Sequence, residues 1–261
     1  MDNIWRQRFG AGYQRQSWPV MGWGKRYRGG QREIWHSHEQ GQLVYPGQGV
    51  VRVLTSVGAW TVTPVQGLWI ASGVDHELHM IGAVHLLTLR VEPDAAPWLW
   101  PECRLVEVQP LLRELLLAMT ADPFEYAADS NAALIAPLAL RCLGSAATLD
   151  HGKLPLPSDK RLLRVCEMLM QSPASDNTLE HLSTLVGASA RTLARLFQAE
   201  TGLTFGQWRR QLRLSEAVCQ LSLGASVSSV ARGLGYANPN AFTAMFRKAL
   251  GAPPQRYMRG L

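Results

Sequence analysis

Three histidines and a glutamine in the first third of the chain have the types and spacing of metal ligands. His36 and His38 lie two residues apart, and Gln42 follows four residues later. Side chains two apart on a β-strand point to one face, so both rings would point into the same interior. With His76 from a neighbouring strand, three imidazoles and one amide oxygen could hold a divalent ion such as Zn, Ni, Co or Fe.

A metal-free role for the same residues is the alternative. The histidines could line a pocket for a small-molecule effector, or they could be hydrogen-bonded parts of the core. Because this set has no carboxylate, its charge and its affinity for a cation are lower than in a site that has one. Trp35 and Trp69 lie near these residues and are candidates for lining a pocket for a flat or apolar effector.

The elements around these residues are predicted to be short strands. From Glu33 to Val91, β-branched and aromatic runs alternate with glycine or proline, which is typical of an antiparallel barrel or sandwich. The predicted strands are 42–45, 50–55, 60–63, 68–71, 76–80 and 85–91. Two leucine-rich helices are predicted to follow, over 108–120 and 131–143, and Pro137 would kink the second.

The last third of the chain contains one helix pattern twice. Ser189 begins the first copy and Gly202 ends it, while Asn238 begins the second and Gly251 ends it. A small polar residue, apolar residues four and eight positions later and a closing glycine indicate a capped amphipathic helix. Pro239 strengthens the second prediction, because proline suits the first helical position.

Each copy has a predicted supporting helix in front of it, which makes two helix-turn-helix units over about 178–202 and 227–251. The second helix of each unit is called a reading helix here. Asn177-Thr-Leu-Glu180 is predicted to be a capping box that begins the first supporting helix. Residues 207–223 form a predicted rigid spacer with a basic face, which would place the reading helices about 34 Å apart, in successive major grooves of one duplex.

The predicted DNA contacts lie on the exposed faces of these helices. Arg191, Thr192 and Arg195 project opposite the apolar residues of the first reading helix. Arginine can bond guanine O6 and N7 together, so the two arginines are the predicted base readers. The second reading helix should read sequence more weakly. Its predicted contacts are Pro239, Asn240 and Thr243, and the spacer is predicted to contribute Arg209 and Arg210.

The stretch from Leu179 to Arg259 closely resembles the DNA-binding domain of the AraC/XylS transcription regulators. The resemblance lies in residues 189–197, 200–205, 235–242 and 246–254. It implies an all-α DNA-binding domain with a double helix-turn-helix. It also implies that helices near the end of the preceding domain pair two subunits, with packing against the domain's own core as the alternative.

The amino-terminal half resembles the cupin-like sensor of the same family. Residues 30–49 have the spacing of the first cupin motif, with Gln42 where metal-binding cupins place glutamate. Residues 73–76 resemble the second motif, although Ala71 replaces the usual proline and Met80 the usual asparagine. The expected fold is therefore α+β in two domains, a cupin-like antiparallel β-barrel with helices and then an all-α domain.

Charge and composition agree with this division. Residues 150–261 contain 14 Lys and Arg against 7 Asp and Glu, a net +7, whereas residues 1–149 contain 12 against 13, a net −1, so the whole positive excess of +6 comes from the second half. No signal peptide is evident at the start, no run approaches the ~18 apolar residues of a membrane span, and the four cysteines are scattered. A cytoplasmic protein without a membrane partner is expected.

The sequence therefore predicts a sensor and dimerisation domain over 1–150 and a DNA-binding domain over 158–261, with a linker near 144–158. The expected protein is a transcription regulator, and not an enzyme, that responds to a small-molecule effector or a metal. Its expected partners are double-stranded promoter DNA, the effector, a second subunit and, for an activator, RNA polymerase. The alternatives are a cupin metalloenzyme tethered to DNA and an architectural DNA-binding protein that senses nothing.

Overall fold

A computed structural model describes residues 19–97, 100–121, 127, 129–149 and 152–259. The predicted sensor domain starts at residue 1, and its first 18 residues lie outside the described part. Within the described residues, the amino-terminal part forms one antiparallel sheet. Its strands are β1 (Val20–Tyr27), β2 (Arg32–His36), β3 (Gly41–Thr55), β4 (Gly58–Val62), β5 (Gln66–Ile70), β6 (His76–Val91), β7 (Arg104–Glu107) and β8 (Lys153–Pro155).

Two long strands connect both halves of this sheet. The beginning of β3 pairs with the end of β6, and the end of β3 pairs with its beginning. We predicted four separate strands here, and that prediction is wrong in this detail. Gly49 and Gly82 have positive φ angles of 82° and 72°, and the register shifts twice between Pro46 and Val50. The strands therefore bend where the glycines stand and do not end there.

The sheet has an apolar interior to which both halves contribute. Val44 from the first half of β3 and Val51 from the second pack in one buried cluster with Trp60 and Leu78. The outer face of the first half is covered by two helices, α1 (Pro110–Ala121) and α2 (Asn131–Gly144). Pro137 lies inside α2, which continues through it as one helix. The structure thus confirms the predicted sheet domain with its two helices.

The remaining described residues form a helical domain. Its helices are α3 (Lys160–Gln171), α4 (Leu179–Val186), α5 (Ala190–Leu196), α6 (Phe205–Ser222), α7 (Val227–Gly233), α8 (Pro239–Leu250) and α9 (Pro254–Arg259). The supporting helices are α4 and α7, the reading helices are α5 and α8, and α6 is the spacer helix. A π-helical turn, Phe197–Thr201, extends α5 to Gly202.

The helix ends follow the predicted cap residues with one exception. Ser189 and Asn238 accept backbone hydrogen bonds at the starts of α5 and α8, and Gly251 ends α8 in the left-handed conformation. The first supporting helix is capped by Thr178, whose hydroxyl accepts the N–H of His181. The predicted capping box starting at Asn177 is therefore one residue early.

The segment predicted as a linker takes part in a core that the sheet and the first helix-turn-helix unit share. β8 pairs with β4, and Leu154 of β8 packs with Ala59 and the helices of the first unit. The indole of Trp208 in the spacer helix donates to the carbonyl oxygen of Pro155 at 2.8 Å. The sheet domain is thus joined to the first helix-turn-helix unit by a shared core. Among the described helices, none is both long and apolar enough to cross a membrane.

Candidate sensor site and DNA interface

The three predicted histidines meet at one end of the sheet interior. His36 is the last residue of β2 and His76 the first of β6, and the two are paired in register. The prediction that His36 and His38 share a strand is wrong, because β2 ends at His36. His38 follows in a loop. The backbone carbonyl oxygen of His38 accepts the N–H of Gly73 at 2.9 Å. That bond holds the loop against the turn before β6, so the rings still converge.

The convergence is close enough for a common ligand. One nitrogen from each of the three rings lies within 4.8 Å of the others. The ring centroids of His36 and His76 are 4.4 Å apart, and those of His38 and His76 are 5.2 Å apart. Three bonds of about 2.0–2.1 Å to a tetrahedral zinc require nitrogens about 3.4 Å apart, a separation that lies within this limit.

The hydrogen bonds of the rings fix which nitrogen faces the centre. In each histidine the Nδ1 atom lies beside a backbone carbonyl oxygen, at 2.7 Å from Ile34, 2.6 Å from Gln40 and 2.8 Å from Val74. A neutral imidazole has one N–H, and here it lies on Nδ1 and donates to the carbonyl oxygen. The Nε2 lone pairs are then left to face the centre. A backbone carbonyl on Nδ1 is the arrangement that orients metal-binding histidines.

Gln42 lies between two of these lone pairs. Its side-chain oxygen is placed 2.7 Å from Nε2 of His38 and 3.1 Å from Nε2 of His76. With the protons on Nδ1, these are contacts between lone pairs and are repulsive. Two arrangements remove the repulsion: a cation bound by both nitrogens and the oxygen, or a flipped amide whose NH₂ group donates to both rings. The residues therefore fit a divalent metal, and they also have a metal-free solution.

Burial favours the neutral form that a metal needs in two of the imidazoles, those of His38 and His76. The pKa of His38 is lowered to about 4 and that of His76 to about 3, mainly by desolvation and in smaller part by the nearby cation of Arg90. Arg90 is itself buried, and it pairs in register with Gln42. Sequence reasoning missed this arginine, because only the pairing of β3 with β6 brings it to the histidines.

The two tryptophans proposed as pocket residues lie away from this centre. Trp69 is paired with Leu43, and both belong to the cluster under α1 and α2, on the outer side of the sheet. Its indole N–H donates to the carbonyl oxygen of Trp100 at 2.8 Å. Trp35 alternates with His36 along β2 and is half-exposed. Neither position favours contact with a ligand at the histidines.

The first reading helix presents the residues predicted to contact DNA. Arg191 and Arg195 are exposed and lie four residues apart, on one side of α5, opposite the buried Leu193. Within the described part of the chain, neither guanidinium has a hydrogen bond or an ion pair with another side chain. Thr192 is partly committed to the helix start, because its hydroxyl lies 2.9 Å from that of Ser189.

The second reading helix presents a less basic surface at its start. Pro239 and Asn240 are exposed, and Thr243 is half-exposed one turn later. The backbone N–H of Asn240 donates to the cap side chain of Asn238 at 2.7 Å, which leaves the Asn240 amide group facing outward. This helix thus offers amide and hydroxyl groups where α5 offers guanidinium groups.

The spacer arginines differ from one another. Arg210 is exposed on α6, as a DNA contact would be. Arg209 instead donates to the carbonyl oxygen of Asn177 at 3.2 Å and lies 5.0 Å from the ring centroid of Phe205. Its guanidinium therefore ties the spacer helix to the start of α4, and this contact occupies part of its donor set.

The spacer helix also docks on the sensor. Arg52 on β3 forms a 3.0 Å ion pair with Glu216 of α6 and lies 3.5 Å from the thiol of Cys219. The hydroxyls of Thr61 on β4 and Ser215 on α6 are hydrogen-bonded. One helix thus contacts the sheet and also contributes residues to the cores of both helix-turn-helix units.

Comparisons with known proteins agree with this two-part construction. Residues 24–143 match the AraC-like ligand binding domain, and residues 182–260 match a helix-turn-helix domain. The HTH-type transcriptional regulator NimR of Escherichia coli K12 is 32% identical over 226 residues, which cover 87% of this chain and 82% of that protein. The HTH-type transcriptional regulator RipA of Corynebacterium glutamicum is 36% identical over 106 residues, 41% of this chain and 32% of that protein.

Among solved structures, one that this chain resembles is that of ToxT from Vibrio cholerae O395. It shares 8% identity and a TM-score of 0.40 over 92% of this chain and 97% of that one. The ligand-binding and helix-turn-helix matches, with the likeness to NimR along most of both chains, define a ligand-responsive DNA-binding protein. The chain belongs to the AraC family of transcription regulators.

Proposed function

We propose that this protein changes its occupancy of a promoter when a ligand binds among the three histidines. The observation that carries the proposal is the double role of the spacer helix, which joins both reading helices and is held to the sensor by Arg52 and Thr61. A ligand that binds one arrangement of this contact better than another shifts the equilibrium between them. The proposed place of action is the cytoplasm, where promoter DNA is accessible.

The test begins with an operator selected by the full-length protein from random-sequence duplex DNA. Affinity for this operator is then measured with Zn²⁺, with a chelator and with candidate small molecules. We expect a change in affinity of about 5- to 150-fold between the loaded and the unloaded sensor. Identical affinity under all these conditions would support an architectural DNA-binding protein that senses nothing.

We further propose a divalent metal as the ligand of the three imidazoles and the Gln42 oxygen. Imidazole ligands suit Zn, Ni, Co and Fe alike, so the geometry selects no single one of them. Because none of the four proposed ligands carries a negative charge, a bound divalent ion would not be neutralised by its ligands and would lie near the cation of Arg90. An effector that completes this site should therefore be a small anion or another electron-pair donor.

Catalysis is the competing use of such a centre. A cupin metalloenzyme would also need histidine ligands, but the neutral Gln42 replaces the carboxylate that mononuclear cupin enzymes generally keep. The docking of the spacer helix favours regulation, since an enzyme tethered to DNA has no need of it. Turnover with added Fe²⁺ by the full-length protein would favour the enzyme instead.

The ion pair between Arg52 and Glu216 gives a test of the coupling. Arg52→Met keeps most of the aliphatic stem but removes the ion pair, so the sensor and the spacer helix should become uncoupled. We expect the response of operator affinity to Zn²⁺ to shrink toward none while the operator is still bound. Arg104→Met is the matched control, because Arg104 pairs with Glu102 on the barrel surface. A full response in Arg52→Met would show that the signal takes another route.

A homodimer is the proposed assembly, formed through the outer face of α1 and α2. Leu111, Leu134 and Leu138 are exposed there, with Leu134 and Leu138 one turn apart on α2. A second copy would cover this face and double the number of reading helices, which raises the affinity for a paired operator. If the protein activates transcription, RNA polymerase is the further partner.

Light scattering after size exclusion measures the assembly. Leu134→Glu places a charge in the centre of the proposed interface, so we expect the mass of one chain at concentrations where the wild type has the mass of two. Val57→Glu changes another exposed apolar residue of the same domain, which is 54% exposed, and should leave the dimer intact. Equal masses for wild type and Leu134→Glu would contradict this interface.

A further inference from the structure

The side chain of Arg213 contacts both the loop that precedes the first helix-turn-helix unit and the second unit itself. It lies on the spacer helix and donates to three successive carbonyl oxygens of the loop before α4. Its Nε atom is 2.9 Å from the oxygen of Pro173, and its Nη2 atom is 3.2 Å from that of Ala174 and 3.0 Å from that of Ser175. The loop that leads into the first unit is thus held to the spacer helix by three hydrogen bonds of one guanidinium.

The same guanidinium contacts the second unit. It lies 6.0 Å from the ring centroid of Tyr236, which follows α7. The ring of Tyr236 packs on Phe242 of the second reading helix at 5.5 Å. Gly235 brings the backbone close at this point, since a Cβ there would lie 3.2 Å from the oxygen of Ala174 and 3.7 Å from Nη2 of Arg213.

The junction matters because the two units have separate cores. The first core contains Trp208 and Leu212 from the start of the spacer helix, and the second contains Leu214 and Val218 from its later part. Arg213 stands between these two sets. Since α6 contributes residues to both cores, Arg213 lies where the two units meet along one helix.

We propose that Arg213 is a positioning residue that sets the distance and angle between the two reading helices. Through this role it determines the spacing of the two DNA boxes that the protein accepts. A planar guanidinium has several donors in a fixed arrangement, so it can hold three carbonyl groups in one geometry, whereas a lysine ammonium on a flexible stem cannot. The inference rests on the proposed binding of both reading helices to one duplex.

The experiment selects operators from random-sequence duplex DNA with the wild type, Arg213→Met and Arg213→Lys. We expect the wild type to enrich two boxes at one spacing. Arg213→Met should enrich the same two boxes over a broader range of spacings, and Arg213→Lys should behave in an intermediate way. Arg164→Met removes an exposed arginine of α3, whose nearest ionic partner is Glu167 at 3.5 Å, and should leave the spacing unchanged.

A purely structural role would lower the affinity and the melting temperature without broadening the spacing. An unchanged single spacing in both Arg213 variants therefore overturns the inference, and so does a single box in the wild-type pool. Enrichment of no sequence by the wild type would instead contradict the proposed function. If Arg213→Met does not fold, Tyr236→Leu removes the other side of the junction and provides the same readout.

Discussion

Protein purified without a chelator should carry close to one divalent ion per chain, and His38→Ala should lose it. The loss is expected because His38 contributes one of three inward-facing Nε2 atoms and lies 2.7 Å from the Gln42 oxygen. The measurement is the metal content of the dialysed protein by elemental analysis. His181→Ala is the matched control, since this histidine is exposed on the supporting helix α4.

Gln42→Glu separates the metal from the metal-free arrangement. A carboxylate restores negative charge to the site, so the variant should hold the ion more tightly during competition with a chelator. In the metal-free arrangement the Gln42 amide group donates to two rings, and a carboxylate could not do so. Gln48→Glu adds the same charge at an exposed position of β3. Metal-free wild type together with a metal-free Gln42→Glu variant would contradict the metal proposal.

The helical domain could be predicted closely because its signals are local. A cap side chain binds an N–H two or three residues away, and a glycine ends a helix through its own backbone conformation. Ser189, Asn238 and Gly251 therefore appear in the structure where the sequence places them. The predicted cap at Asn177 is wrong by only one residue, because the neighbouring Thr178 is also a good cap residue and is the one that caps the helix.

Features that depend on distant pairing could not be read in the same way. The bends of β3 and β6 leave two strands where four were predicted, because a glycine in a strand looks like a turn when its partner strand is unknown. The strand in the predicted linker has only three residues, and it exists because β4 offers an edge. His36 and His38 could be predicted as a pair because they are close in sequence. Arg90 could not, because only the pairing of β3 with β6 brings it near them.

The two domains differ in how their function is specified. On the reading helices, chemistry follows from helical periodicity, so exposed side chains can be chosen from sequence alone. In the sensor, the ligand set depends on which loop is held against which strand, as the bond from Gly73 to His38 illustrates. Although Arg213 lies in the helical domain, its role also could not be predicted from helical periodicity, because the carbonyl groups that it binds lie 38 to 40 residues away along the chain.

The largest effect on DNA recognition is expected from Arg195. Arg195→Ala removes an exposed guanidinium of the first reading helix that has no hydrogen-bond or ion-pair partner among the described residues. If it bonds guanine O6 and N7, the variant should lose about 1–3 kcal/mol of operator affinity, about 5- to 150-fold in Kd. Asn240→Ala should cost less, because the second reading helix offers no cation at its start.

Competition with random-sequence DNA distinguishes base contact from phosphate contact. A phosphate contact contributes equally to both duplexes, so its removal lowers both affinities together and reduces the salt dependence of each. A base contact contributes to the operator alone, and its removal lowers the ratio of the two affinities. Arg164→Ala, with the same change of charge on α3, should alter neither the ratio nor the preferred sequence. Equal losses on operator and random DNA in Arg195→Ala would assign Arg195 to the phosphate backbone and transfer base reading to Arg191.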